Sequence, residues 1–216
     1  KTVAVVSNAT LMHEDIVASY QRKDLLEGRD YTFMVSSGEV LRRDLLNKKL
    51  KFAGCRKPRK VYNIGAKNEK MFAGTIYQSV ETPEEADFVY CGVPFLTAAE
   101  AAEYSEYAAD FLPVKADESG KIVLWDSVIE KPFEKIVDRA AALGLPALNA
   151  NPDYVAQEGH PLAKDKSSHF VVRNGTLAKM LRERGLEVLE YGKPHANIYE
   201  YVFEKLTDQG KMCAKS

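Results

Sequence analysis

Residues 3–6, Val-Ala-Val-Val, form a short apolar run that reads as a buried parallel strand. The run stops on Ser7-Asn8-Ala9-Thr10, small polar residues at a strand's carboxyl end, where open α/β sheets place their chemistry. Much later, Val188-Leu189 lead through Gly192 to Lys193 and Pro194, with Pro194 predicted at the first position of a helix. A lysine held just before a helix start is a fixed charge beside a ready-made anion site. A hydroxyl at one strand end and an ammonium at another suggest a phosphate pocket.

The hydrophobic pattern between these two points alternates strand and helix. Met12 to Leu26 carries Ile16, Val17, Tyr20 and Leu25 near helical spacing and closes on Gly28. Tyr31 to Val35 reads as a second strand, and Ser36-Ser37-Gly38-Glu39 leads into a helix with Val40, Leu41, Leu45 and Leu46. From Lys57 the composition turns basic around a proline, and Val61 to Gly65 begins a fresh strand. Further along, Asp87 to Val93 and Lys121 to Trp125 read as strands. A helix is predicted from Thr97 to Ala109 and another from Phe133 to Leu143, the latter ended by Gly144. Phe170 to Leu206 reads strand, helix, strand, helix. Repeats and low-complexity segments are not evident.

Composition narrows the function classes. At 216 residues the chain has enough sequence to bury a real core. A formal net charge of −1 makes no case for nucleic-acid binding, and the basic stretch Arg56 to Lys60 fits a solvated connector. No apolar stretch approaches the roughly 18 residues that span a membrane, and residues 1–20 lack a signal-peptide layout. Cys55, Cys91 and Cys213 are widely spaced and odd in number, which fits reduced thiols and a cytoplasmic location.

Four segments in order carry a family resemblance: Val6-Ser7-Asn8, Asn149-Ala150-Asn151-Pro152-Asp153, Asn174-Gly175-Thr176-Leu177-Ala178 and Gly192-Lys193-Pro194. Together they resemble the haloacid dehalogenase superfamily, in particular its subclass IIA phosphatase-like hydrolases, over essentially the whole chain. The resemblance implies an α/β fold, a three-layer, mostly parallel Rossmann-like core sheet interrupted by an inserted α/β cap. It places the core at residues 1–56 and 154–216 and the cap at 57–153, with the strands ending at Ser7 and near Val188 flanking one crevice of the core. It implies hydrolysis of a small-molecule phosphate ester with magnesium, through an aspartyl-phosphate. Ser7 and Lys193 are then the catalytic candidates, and Ser7, Asn8 and Lys193 the phosphate-binding ones. The family's nucleophile motif and its acidic metal-binding motif are absent from these 216 residues, so the resemblance gives no metal ligand here and an inactive chain. No nucleic-acid or membrane partner is implied, and association into a homo-oligomer would run through the cap.

Simpler readings stand beside these. On pattern alone Ser7 fits a cap on the following helix better than a ligand, and Lys193 fits a surface lysine that the helix dipole disfavours. Asn8 and Thr10 share Ser7's task or only shape the turn, and neither is a catalytic candidate. Asp126 resembles a nucleophile strand end but carries Val128 two positions on, and Asp153 fits an Asx-type turn. His13, His160, His169 and His195 lack metal-ligand spacing, and His195 reads as a residue of the helix start. A non-catalytic anion-binding or scaffold protein of the same fold remains the alternative.

Overall fold

A computed structural model describes residues 2–55, 57–94, 115–116, 122–123, 131–158, 169–208 and 210. The chain runs β1 (Ala4–Ser7), α1 (His13–Gln21), β2 (Phe33–Ser36), α2 (Ser37–Leu46), β3 (Lys60–Ile64), α3 (Glu69–Phe72), β4 (Gln78–Val80) and β5 (Phe88–Cys91). It continues with β6 (Lys115–Ala116), β7 (Ile122–Val123), α4 (Lys131–Ala142), β8 (Ala147–Asn149), β9 (Val155–Glu158), β10 (His169–Val172), α5 (Asn174–Glu183), β11 (Val188–Glu190) and α6 (Ala196–Asp208). The helix predicted over Thr97 to Ala109 and the decoy Asp126 lie outside the described residues.

Five strands form a parallel sheet in the order β11-β8-β5-β3-β4. Strand β5 reads Phe-Val-Tyr-Cys and is buried along its whole length, as expected of a parallel strand covered on both faces. Alternation sorts its side chains between two cores. Phe88 and Tyr90 join Val35, Val40, Leu41 and Leu45 from β2 and α2, Phe72 from α3, and Ile198 and Val202 from α6. Val89 and Cys91 join Phe133 and Val137 from α4 and Leu177, Ala178 and Leu181 from α5. The fold is therefore α/β in three layers, with this sheet in the middle.

Strands β1 and β2 form a separate parallel pair, in register Ala4 with Phe33 through Ser7 with Ser36. Strand β11 does not share a sheet with β1; Val188 pairs with Ala147 and Glu190 with Asn149, which makes β11 the edge of the five-stranded sheet. That sheet runs across residue 153, and one hydrophobic core joins Val35 and Val40 to Val61, Phe88 and Leu148 across residue 57. Strands β9 and β10 form an antiparallel pair of their own, as do β6 and β7. Helix α6 begins at Ala196 rather than at Pro194. A tight turn precedes it, in which the His195 N–H donates to Gly192 O at 2.7 Å.

Candidate functional site

Parallel pairing places the carboxyl ends of β5, β8 and β11 together, and the β1–β2 pair packs so that the end of β1 faces them. The loops leaving these strands enclose a cleft of about 540 Å³. Ser7 ends β1 and Asn8 to Leu11 follow it, Val93 follows β5, Asn151 and Asp153 follow β8, and Lys193 follows β11; Ala156, Arg173 and Asn174 complete the wall. Ser7, Asn8, Thr10 and Lys193 therefore line one cavity.

Asn8 makes the join. Its Oδ1 accepts the Lys193 N–H at 2.6 Å, and its Nδ2 stands 3.1 Å from Lys193 O and 2.9 Å from Asp153 Oδ1. One short amide thus pins three loops, spanning 185 residues of sequence to Lys193 and 145 to Asp153. Gly192 is required at this contact. Its φ is +104°, and a Cβ there would stand 2.8 Å from Asn8 Oδ1 and 3.0 Å from Ser37 Cβ. The buried Ser37 hydroxyl lies 3.0 Å from Ala9 O and 2.5 Å from Ala150 O, so its single proton is shared between the β1 and β8 loops. Ser36 caps α2 by accepting from the Glu39 N–H and donates its own proton to Leu11 O at 2.6 Å.

Ser7 does not cap a helix. Its Oγ accepts the Ala9 N–H at 3.2 Å within the turn, and α1 starts later, after Met12. The hydroxyl proton therefore remains to be donated. Asp153 takes part in an Asx turn as its N–H donor, to Asn151 Oδ1 at 3.0 Å. His195 lies 3.4 Å from Glu190, whose other contacts are Arg182 at 2.6 Å and Asn149 at 3.2 Å. That network holds the loop after β11 and stands apart from the residues lining the cleft. Sequence reading missed Arg173, and it named Asn174 and Asp153 only within resemblance segments, with Asp153 read as a turn residue and neither given a part in the site. Burial pushes the Arg173 guanidinium below its ordinary pKa, while the charge of Asp153 opposes that shift. Asn174 is buried and donates from Nδ2 to Cys91 O at 2.7 Å, while its Oδ1 has no hydrogen-bond partner among the described residues. A signal existed in the adjacency of Arg173 to the Asn174-Gly175 pair. Gly175 is forced by close approach, since a Cβ there would meet Pro152 O at 2.2 Å.

Among its described lining residues the cleft carries two cations, one carboxylate and several hydrogen-bond donors, a mild positive excess. Among the described residues no group of three His, Cys, Asp or Glu side chains is placed to hold a metal ion. The single carboxylate among the lining residues, Asp153, already accepts from Asn8. These residues do not make a magnesium site by themselves.

No family profile and no curated protein matches the sequence. Solved structures do match in shape. A haloacid dehalogenase-like hydrolase from Brucella suis 1330 superposes with a TM-score of 0.65 at 23% identity, covering 99% of this chain and 62% of that one. A p-nitrophenyl phosphatase from Archaeoglobus fulgidus gives 0.55 at 17% identity, over 96% and 62%. A glycerol phosphate phosphatase from Mycobacterium tuberculosis, in complex with calcium, gives 0.51 at 15%, over 93% and 47%. The chain has the haloacid dehalogenase-like fold and spans about three fifths of the length of the first two.

Proposed function

We propose that a chain with this fold supplies the phosphoryl-binding residues of a magnesium-dependent hydrolase of phosphoric monoesters. The observation that carries the reading is the Asn8 clamp, which brings a strand-end hydroxyl and a lysine into one cleft across 185 residues of sequence. In this reading Ser7 donates its hydroxyl proton to a phosphoryl oxygen, and Lys193 offsets the charge that grows on the transferring group. Asn8 sets their spacing through the backbone of Lys193. The attacking carboxylate comes from outside these residues. Among the described residues β1 pairs with β2 alone, so its other edge is open to a strand carrying that aspartate. Attack forms an aspartyl-phosphate as the ester oxygen leaves, and water then releases inorganic phosphate. The likeness to haloacid dehalogenase-like hydrolases implies magnesium, whose ligands would have to come largely from outside these cleft residues. The division into a body and an inserted unit belongs to the same proposal, with β11 assigned to the inserted sheet. A cytoplasmic location does too.

One observation favours a second reading, a non-catalytic anion-binding protein. Asp153 is held by Asn8 and is not free to attack phosphorus. Calorimetric titration with inorganic phosphate tests the part common to both. The expected outcome is saturable binding that Lys193→Met weakens at least tenfold in a folded chain. Equal affinity in the variant would remove Lys193 from the site and the hydrolase reading with it.

A further inference from the structure

Between Asn47 and Lys60 every charged residue is a lysine or an arginine, in a chain whose formal net charge is −1. Like charges so close in sequence repel one another, and a loosely held connector would relieve the repulsion by spreading. This loop is fastened instead. Leu50 and Phe52 are buried in the main core, and Pro58 is buried as well. The Lys49 N–H donates to Asp44 O at 2.9 Å and the Ala53 N–H to Glu187 Oε2 at 2.8 Å. The Arg59 and Lys60 N–H groups both donate to Asp87 Oδ2, at 2.7 and 2.9 Å. Lys48, Lys49, Lys51, Lys57, Arg59 and Lys60 are all exposed, and none is held in a salt bridge among the described residues.

The same loop borders a groove. Its Gly54 and Cys55 line a hollow of about 500 Å³ together with Leu143, Leu145, Pro146 and Leu186. The hollow lies where β5, β8 and β11 begin, and in a parallel sheet that end is opposite the phosphate cleft. Asp87 and Glu187 also line it, each with an oxygen turned onto backbone N–H groups of the loop. The surface is thus apolar in its recess and cationic along one rim.

That combination discriminates among anionic partners. Single-stranded nucleic acid stacks its bases on exposed aromatic rings, and the loop's one aromatic residue, Phe52, is buried. An anionic lipid surface reads charge alone and has no group to place in a recess. A polypeptide with acidic and apolar side chains uses both parts, its apolar groups leaving water in the groove while its carboxylates meet the rim. We propose that the loop from Lys48 to Lys60 and the groove beside it form a docking surface for an acidic polypeptide segment that carries apolar side chains. The surface is separate from the phosphate cleft and does not depend on the phosphate reading.

The experiment is fluorescence polarisation with the full chain and two labelled peptides, Glu-Glu-Leu-Gly and Glu-Glu-Ser-Gly, each repeated four times. The leucine peptide is expected to bind saturably and about tenfold tighter than the serine peptide, as burial of one leucine side chain would give. Joint replacement Lys57→Gln, Arg59→Gln and Lys60→Gln should weaken it about tenfold, and added salt should weaken it further. Leu143→Ser should remove the preference for leucine, and Lys193→Met should leave binding unchanged. Circular dichroism of each variant establishes that folded chains are compared. No binding of the leucine peptide, equal binding of the two peptides, or affinity unchanged in the triple variant overturns the proposal. So does loss of binding in Lys193→Met, which would put the peptide in the phosphate cleft. Competition by oligouridylate or by phosphatidylserine vesicles as strong as that of the unlabelled leucine peptide would make this a general polyanion surface and overturn it too.

Discussion

Asn8 satisfies both ends of its amide across the cleft, and its loss would leave the Lys193 N–H without an acceptor. With a net value of about 0.5–1.5 kcal/mol for each of its three bonds, Asn8→Ala should cost about 1.5–4.5 kcal/mol in urea unfolding and weaken anion binding at the same time. Gly192→Ala adds left-handed strain to a 2.8 Å collision with Asn8 Oδ1. We expect it to cost about 2 kcal/mol or more by the same measurement, whereas Gly54→Ala, with open space at its Cβ, should be near neutral. Ser7 and Lys193 were legible as candidates because each follows a short apolar run at a strand end. Asn8 was legible too, but as a phosphate ligand and not as the clamp that places the other two, and Ser37 was not singled out at all. Asn8, Ser37 and Gly192 meet only after the two sheets pack, and no local spacing encodes a contact across 185 residues.

The strands β5 and β3 were readable from their apolar runs and from the turn residues after them, and so was the helix ended by Gly144, whose φ is +65°. Sheet membership was not readable. A three-residue strand such as β11 carries too little pattern to say which neighbour it pairs with, and only the register of Val188 with Ala147 decides it. The start of α6 slipped for a related reason, since the Gly192–His195 turn takes up the residues expected to open the helix. Burial in the central strand also has a chemical consequence. The Cys91 thiol is fully buried and its pKa is pushed well above the ordinary range, so it stays protonated and unreactive near neutral pH. Of Cys55 and Cys91, only the half-exposed Cys55 should react with a thiol reagent in the native protein, as read by peptide mapping; Cys91 labelling at the same rate would contradict the fold. Leu148, buried in the centre of β8, should cost about 2–5 kcal/mol as Leu148→Ala.

The molecule as a whole was foreseen as α/β with a parallel sheet, and the haloacid dehalogenase-like fold agrees. At this scale the expected behaviour is binding without turnover. With Asp153 engaged by Asn8, the chain should not release nitrophenol from p-nitrophenyl phosphate above the buffer rate, with or without magnesium. No helix among the described residues is long and apolar enough to cross a membrane. The central claim is that Ser7 and Lys193 face one phosphoryl-sized anion. It is tested most directly by a crystal structure of the chain soaked with tungstate, a heavy phosphate mimic. The account predicts an anomalous peak within hydrogen-bond reach of both Ser7 Oγ and Lys193 Nζ, absent from Lys193→Met crystals. Tungstate bound elsewhere, or at this cleft without contact to either side chain, would contradict it.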